Sequence, residues 1–177
     1  MSGETFFFGD AMNHVQDGPE GRRAELDPAA FRLRLGRDPV LPCPWSYDRY
    51  VPALAWIGSG KAEPRLAEQM KYGGAWLQND NHDLEVWLPW RIGFVRKGNH
   101  SLAAGILAAE GEVVPYAAYD MGFLLDELKC DGCSYILRRT GEPVAPVDDL
   151  RRAAVFEIGR LIRDHGERIA GHRRPIN

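Results

Sequence analysis

The chain has 177 residues, 45% of them hydrophobic and 27% charged, and its 22 basic and 25 acidic side chains leave a formal net charge of -3. That balance belongs to a globular protein with one sizeable core rather than to a disordered chain, and its average field does not attract nucleic acid. No apolar run approaches the roughly 18 residues that a membrane-spanning helix needs, and Cys43, Cys130 and Cys133 are too few and too uneven for a secreted disulfide framework.

A single domain over residues 1–177 is expected, with an irregular part at 1–83, a core at about 84–140 and a C-terminal helix at about 147–170. The first residues, MSGETFFFGDAMNHV, lack the basic start and apolar stretch of a signal peptide, so the expected location is the cytoplasm. Asp17-Gly18-Pro19-Glu20-Gly21 reads as a loop. Asp27 and Pro28 then open a short helix, PAAFRLRLG, turning Phe31 and Leu35, with Leu33 beside them, to the core, and Gly36 and Pro39 end it. Pro39, Pro42, Pro44 and Pro52 impose an extended course. Residues 47–57 read as a short helix or an irregular segment. Residues 63–72 form a better helix, with Pro64 in its first turn, Leu66 and Met70 inward and Gly73-Gly74 as its stop. The polar run 78–83 is a loop by composition.

Beyond it, short strands alternate with helices. Residues 84–90 and 92–96 have the branched and aromatic character of strands. Residues 101–110 form a helix with Leu102, Ile106 and Ala109 about a turn apart and Gly111 as its end. Residues 113–119 form a strand that Pro115 assigns to a sheet edge. Asp120 caps a helix showing Phe123, Leu124 and Leu128 inward. LKCDGCSYILRR is a hairpin with Asp131-Gly132 as a type I′ turn. Residues 147–170 form a long amphipathic helix whose core stripe is Leu150, Ala154, Ile158, Leu161, His165 and Ile169. Its arginines form a solvated face and a basic tail. The predicted fold class is α+β, a small mixed sheet with flanking helices and a long C-terminal helix.

The candidate site is the strand-to-helix junction FVRKGNHSLAAGI. A tight turn there directs free amides at the helix start into one place, which favours an anion. Gly98 permits close approach or positive φ, Asn99 and Ser101 can cap or donate, and Lys97 adds charge. His100 is the candidate acid or base, because an imidazole titrates near neutrality. His82, Asp83 and Asp120 are candidates for a supporting shell. The same residues also satisfy a plain structural reading: glycine for the turn, Asn99 for the cap, His100 bonded to a neighbouring carbonyl.

VRKGNHSLAAGI resembles the signature turn of the ParB and sulfiredoxin superfamily, in which a strand leads to Gly, a variable residue, and His, Cys or Arg, before a helix with small residues. Here Gly98, Asn99, His100 and Ser101 take the turn positions, and Ala103 and Ala104 the helix. The resemblance implies a turn that contacts nucleotide phosphates, with a nucleoside triphosphate and magnesium as the implied ligands and phosphoryl transfer or hydrolysis as the implied chemistry. Where that superfamily most often carries arginine after the His or Cys, this chain has Ser101, which removes a bidentate phosphate ligand and tilts the expectation from turnover to binding. The chain also resembles an uncharacterised bacterial family found near mobile elements, through its GNHS turn, Glu110-Gly111-Glu112, Tyr119-Asp120 and Asp131-Gly132.

Cys130 and Cys133 have the spacing of a redox pair or half a zinc site. A zinc site needs two further ligands, and turn formation is the simpler account, so no metal site is assigned. The 78–83 loop supplies oxygens and one imidazole, the composition of either an ion-binding or a merely solvated loop. Trp45, Trp56, Trp76, Trp87 and Trp90 are read first as core, with an exposed subset as a partner surface. Two functions therefore compete: binding of a nucleotide or other phosphate-bearing ligand at Gly98–Ser101, with chemistry through His100, and a non-enzymatic protein-interaction module, an inhibitor or regulator from a mobile element. Nucleic acid is the weakest partner and a membrane is not expected.

Overall fold

The computed structural model describes residue 15, residues 23–61 and residues 73–172, the last six of these through the backbone alone. The Asp17–Gly21 loop, the 63–72 helix and the Ile169 side chain lie outside the described residues. Among those described, the fold is α+β. Strands β1 (Ala24–Leu26), β2 (Leu33–Arg34) and β3 (Val40–Leu41) precede helix α1 (Tyr47–Trp56). Strands β4 (Leu84–Leu88) and β5 (Ile92–Val95) lead to helix α2 (Asn99–Ala108), followed by β6 (Glu112–Val113) and β7 (Ala117–Asp120). Helix α3 (Phe123–Glu127), strands β8 (Leu128–Cys130), β9 (Ser134–Leu137) and β10 (Pro143–Pro146), and helix α4 (Leu150–His172) complete the order. Five strands pair as β1-β7-β4-β5-β3, three as β10-β9-β8 and two as β2-β6. No helix among the described residues is long and apolar enough to cross a membrane.

The described residues divide into two compact units, one drawn from residues 26–61, 73–86 and 91–118, the other from residues 15, 23–25, 87–90 and 119–172. In the first, β5 is buried along its whole length and pairs in parallel with β3, Val40 opposite Gly93 and Leu41 opposite Phe94. A strand covered on both faces has to be apolar throughout, which is what IGFV supplies. Helix α2 buries Leu102, Ala103, Ala104 and Gly105 and packs against α1, and Gly105 leaves room for Leu35 and Trp76.

The helix expected from Pro28 onward is a single 3-10 turn over Pro28–Ala30. Asp27 does cap it, accepting the Ala29 N–H at 3.0 Å. The next residues then alternate, with Leu33 and Leu35 buried and Arg32 and Arg34 exposed. Apolar steps of two are the period of a strand, and they override the start signal. The strand expected over 113–119 is broken at its proline: β6 ends at Val113 and β7 begins at Ala117. Pro115 thus sits outside both ladders, and β7 lies between β1 and β4 rather than at an edge.

In the second unit, Asp120 Oδ1 accepts the Gly122 N–H at 2.8 Å just before α3, and Leu128 already belongs to β8. The β8–β9 hairpin forms with Cys130 opposite Tyr135 and the Asp131 N–H donating to Ser134 O, so Gly132 and Cys133 are its central pair instead of Asp131 and Gly132. Only Gly132 has positive φ, at 93°, which suits a type II′ turn and not type I′. Asp131 Oδ1 closes the turn by accepting the Cys133 and Ser134 N–H groups.

Helix α4 reverses its expected face. Leu150, Ala154, Ile158, Leu161 and His165 are exposed, whereas Ala153, Phe156 and Gly159 are buried. The cause is polar. Arg160 donates to the carbonyls of Leu125 and Leu128 and pairs with Glu157 at 2.9 Å, and Arg163 donates to Gly122 O at 3.0 Å and Asp126 at 2.8 Å. The α3–β8 corner exposes carbonyls that need donors, so two arginines occupy the inward stripe. Trp90 completes the seat, its Nε1–H donating to Val155 O at 2.9 Å above Gly159, where even a methyl group would collide with the indole.

Candidate functional site

Gly98 opens α2 in the left-handed region, with φ of 78°. A Cβ there would lie 2.5 Å from His82 Cδ2 and 2.7 Å from Asn81 O, so both backbone and space demand glycine. The helix begins at Asn99, two residues before the expected start, because Gly98 O already accepts the Leu102 N–H at 2.9 Å. Ser101 is accordingly inside the first turn and caps nothing. The Asn99 side chain is not a cap either: its Oδ1 accepts the Cys43 N–H at 2.7 Å, which ties the proline-rich segment before α1 to the turn. The amides of Asn99, His100 and Ser101 have no acceptor within the helix.

The expected companions in the 78–83 loop come together with this turn. His82 is buried, its ring 4.7 Å from that of Trp76, and its Nδ1 accepts the Asn79 N–H at 2.9 Å. A nitrogen that accepts carries no hydrogen, so Nε2 bears it and donates to Ser101 Oγ at 3.0 Å. Burial, which outweighs the nearby Asp83, holds the His82 imidazole below its ordinary value of 6.5 and favours this neutral form. An imidazole donating to the hydroxyl cannot accept its proton, so His82 and Ser101 do not form a base and nucleophile pair.

His100 takes a similar constraint. Its Nε2 accepts the Ser46 N–H at 3.2 Å and its ring meets Trp45 edge-on at 5.4 Å, which leaves Nδ1 as the ring's donor. While that bond stands, Nε2 is closed to a substrate proton. Lys97 pairs with Asp83 at 2.6 Å, and Asp83 O accepts both the Arg96 and Lys97 amides, fixing the approach to the turn.

Lys97, Gly98, Asn99, His100, Ser101 and His82 share one cavity of about 660 Å³. Arg49, stacked 5.6 Å from the Trp45 ring, and Arg96 add cations to its wall, and among the described residues no carboxylate lines it. Asp83 reaches it through Lys97. Asp120 does not belong to it: this residue lies in the second unit, on the wall of a separate cavity of about 630 Å³ with Asp126 and Arg163. Among the described residues no three His, Cys, Asp or Glu side chains stand together as metal ligands, and the three cysteines are free thiols.

Sequence reading missed Arg49 and the linking role of Trp76. Arg49 stands four residues after Trp45, which precedes α1, a cation-and-aromatic spacing that was legible. Trp76 left no local signal, since only the fold brings it to Ser101.

A protein-family model described as a family of unknown function (DUF6710) matches residues 3–169. No curated protein and no solved structure matches the chain. The match spans almost the whole sequence, and the chain belongs to this family, DUF6710.

Proposed function

We propose that the first unit binds a phosphate-bearing ligand, a nucleotide foremost, with the Gly98–Ser101 turn of a ParB/sulfiredoxin-like core as the phosphate cradle. The observation that carries this reading is the polarity of the turn's hydrogen bonds. Asn99 Oδ1, His100 Nε2 and the Asp83 carbonyl are each occupied by a backbone N–H, and Ser101 O by the Trp76 indole. What remains around the cavity among the described residues is a set of donors and cations: the first-turn amides, His100 Nδ1, Arg49 and the hydrogens of the Lys97 ammonium that Asp83 does not take. Such a set suits an acceptor-rich oxyanion. Trp45, beside Arg49, offers a flat apolar face for a base. With no carboxylate on the wall among the described residues, magnesium would be carried by the ligand's phosphates. The occupied His100 Nε2 favours binding over turnover. The cytoplasm, where nucleotides are abundant and thiols stay reduced, is the matching location.

The test is a thermal shift of the full chain against nucleoside triphosphates, with and without magnesium, and inorganic phosphate. Binding to the native state raises the midpoint, and Ser101→Ala and His100→Ala should diminish that rise. A flat panel would overturn the reading. It would favour the alternative of an inhibitor or regulator acting on a protein, for which Trp45 and Tyr47, 71% and 79% exposed, are the natural contacts.

A further inference from the structure

Ser101 is gripped from two sides. Its Oγ lies 3.0 Å from Trp76 Nε1 and 3.0 Å from His82 Nε2, and the indole hydrogen is shared with Ser101 O at the same distance. An indole nitrogen can only donate. The imidazole is equally committed, because its Nδ1 is taken by the Asn79 N–H. A hydroxyl has two lone pairs and one hydrogen; with both lone pairs engaged, only the O–H is left, and it can only donate. Trp76 and His82 are 4% and 5% exposed, so water does not compete for these bonds. Ser101 itself lines the cavity.

From this geometry we infer that Trp76 and His82 are positioning residues that make Ser101 a one-way donor, so that the cavity presents it only to an accepting oxygen, best a charged one as in a phosphomonoester dianion or sulfate. The inference rests on the anion reading above and adds its selectivity. It assigns to two buried aromatic residues, neither of which has to touch the ligand, the task of aiming the one hydroxyl that does. It also gives the Gly98 turn a second purpose: the missing side chain lets His82 come close enough to reach Ser101.

The experiment is calorimetric titration of the full chain with sulfate, repeated in a Ser101→Ala background. Ser101→Ala should weaken sulfate by about tenfold, the loss of one bond to a charged acceptor. Trp76→Phe and His82→Leu should each cost about three- to tenfold when Ser101 is present and nothing when it is alanine, because coupled residues are not additive. His82→Gln, whose amide can replace the Nε2 donor, should recover most of the loss and carries the test should Trp76→Phe fail to fold. Equal losses in both backgrounds would overturn the positioning role and leave the anion site standing. If the unaltered chain bound neither sulfate, inorganic phosphate nor any nucleoside triphosphate, the anion reading would fall, and this inference with it.

Discussion

Arg160 and Arg163 in the second unit, and Arg49 and Lys97 in the first, all look like helix or loop cations in the sequence, yet they are employed differently. The first pair is turned inward, Arg160 with only 18% of its side chain exposed, and its hydrogens go to the carbonyls of Gly122, Leu125 and Leu128. Lys97 is 65% exposed and Arg49 lies on the Trp45 face, both at the wall of a cavity. One unit therefore spends its cations on its own acceptors. In the other, Lys97 pairs with Asp83 and Arg49 stacks on Trp45, so that both stay at a cavity wall while nearby acceptors are taken by backbone amides. Charge counts cannot separate the two cases; the accounting of donors and acceptors can.

The largest expected effect sharpens this contrast from the first unit. Gly98→Ala forces a side chain into the left-handed region and against His82 and Asn81, costing about 3 kcal/mol of stability. It should abolish ligand-induced thermal shift as well. Arg160→Met comes next: it takes the guanidinium from two carbonyls and leaves Glu157 with the Cys130 N–H alone among the described residues, and should cost about 2 kcal/mol in a denaturant titration. Sulfate affinity should not change, and a parallel loss of binding would break the division drawn here.

A third test uses pH. Burial keeps the His82 imidazole below 6.5 in the folded chain, so below 6.5 the unfolded chain takes up the proton first. Its contribution is therefore intact above that value and is lost as pH falls toward the lowered folded one. Denaturation curves should show this acid-side loss, and His82→Gln should flatten it. The smallest effect belongs to the exposed stripe of α4, where Leu161→Glu should change stability by no more than about 0.5 kcal/mol. A large destabilisation would mean that this face is covered.

The elements that sequence periodicity reveals best are those whose burial is purely apolar. Strand β5 and the body of α2 were legible for that reason, and β4 was legible through its apolar majority although it also buries Glu85. Helix α4 was legible as a helix and misleading as to its face, since arginines satisfying carbonyls carry no hydrophobic signal. RLRLG was misread because Asp27-Pro28 is a strong start signal and the alternation of Leu33 and Leu35 a quieter one. In the site, the Gly98 turn could be read from strand, glycine and helix alone. The duties of Asn99, His100 and Ser101 could not, because Cys43, Ser46, Trp76 and His82 reach them only after folding.

The seat of α4 on Trp90 has a consequence for how this chain can vary. Any side chain at position 159 would occupy the volume of the indole, and any smaller ring at 90 would leave a void and remove the indole N–H that reaches Val155 O and Phe156 O. Neither position can drift alone; a change in one should be tolerated only alongside a matching change in the other.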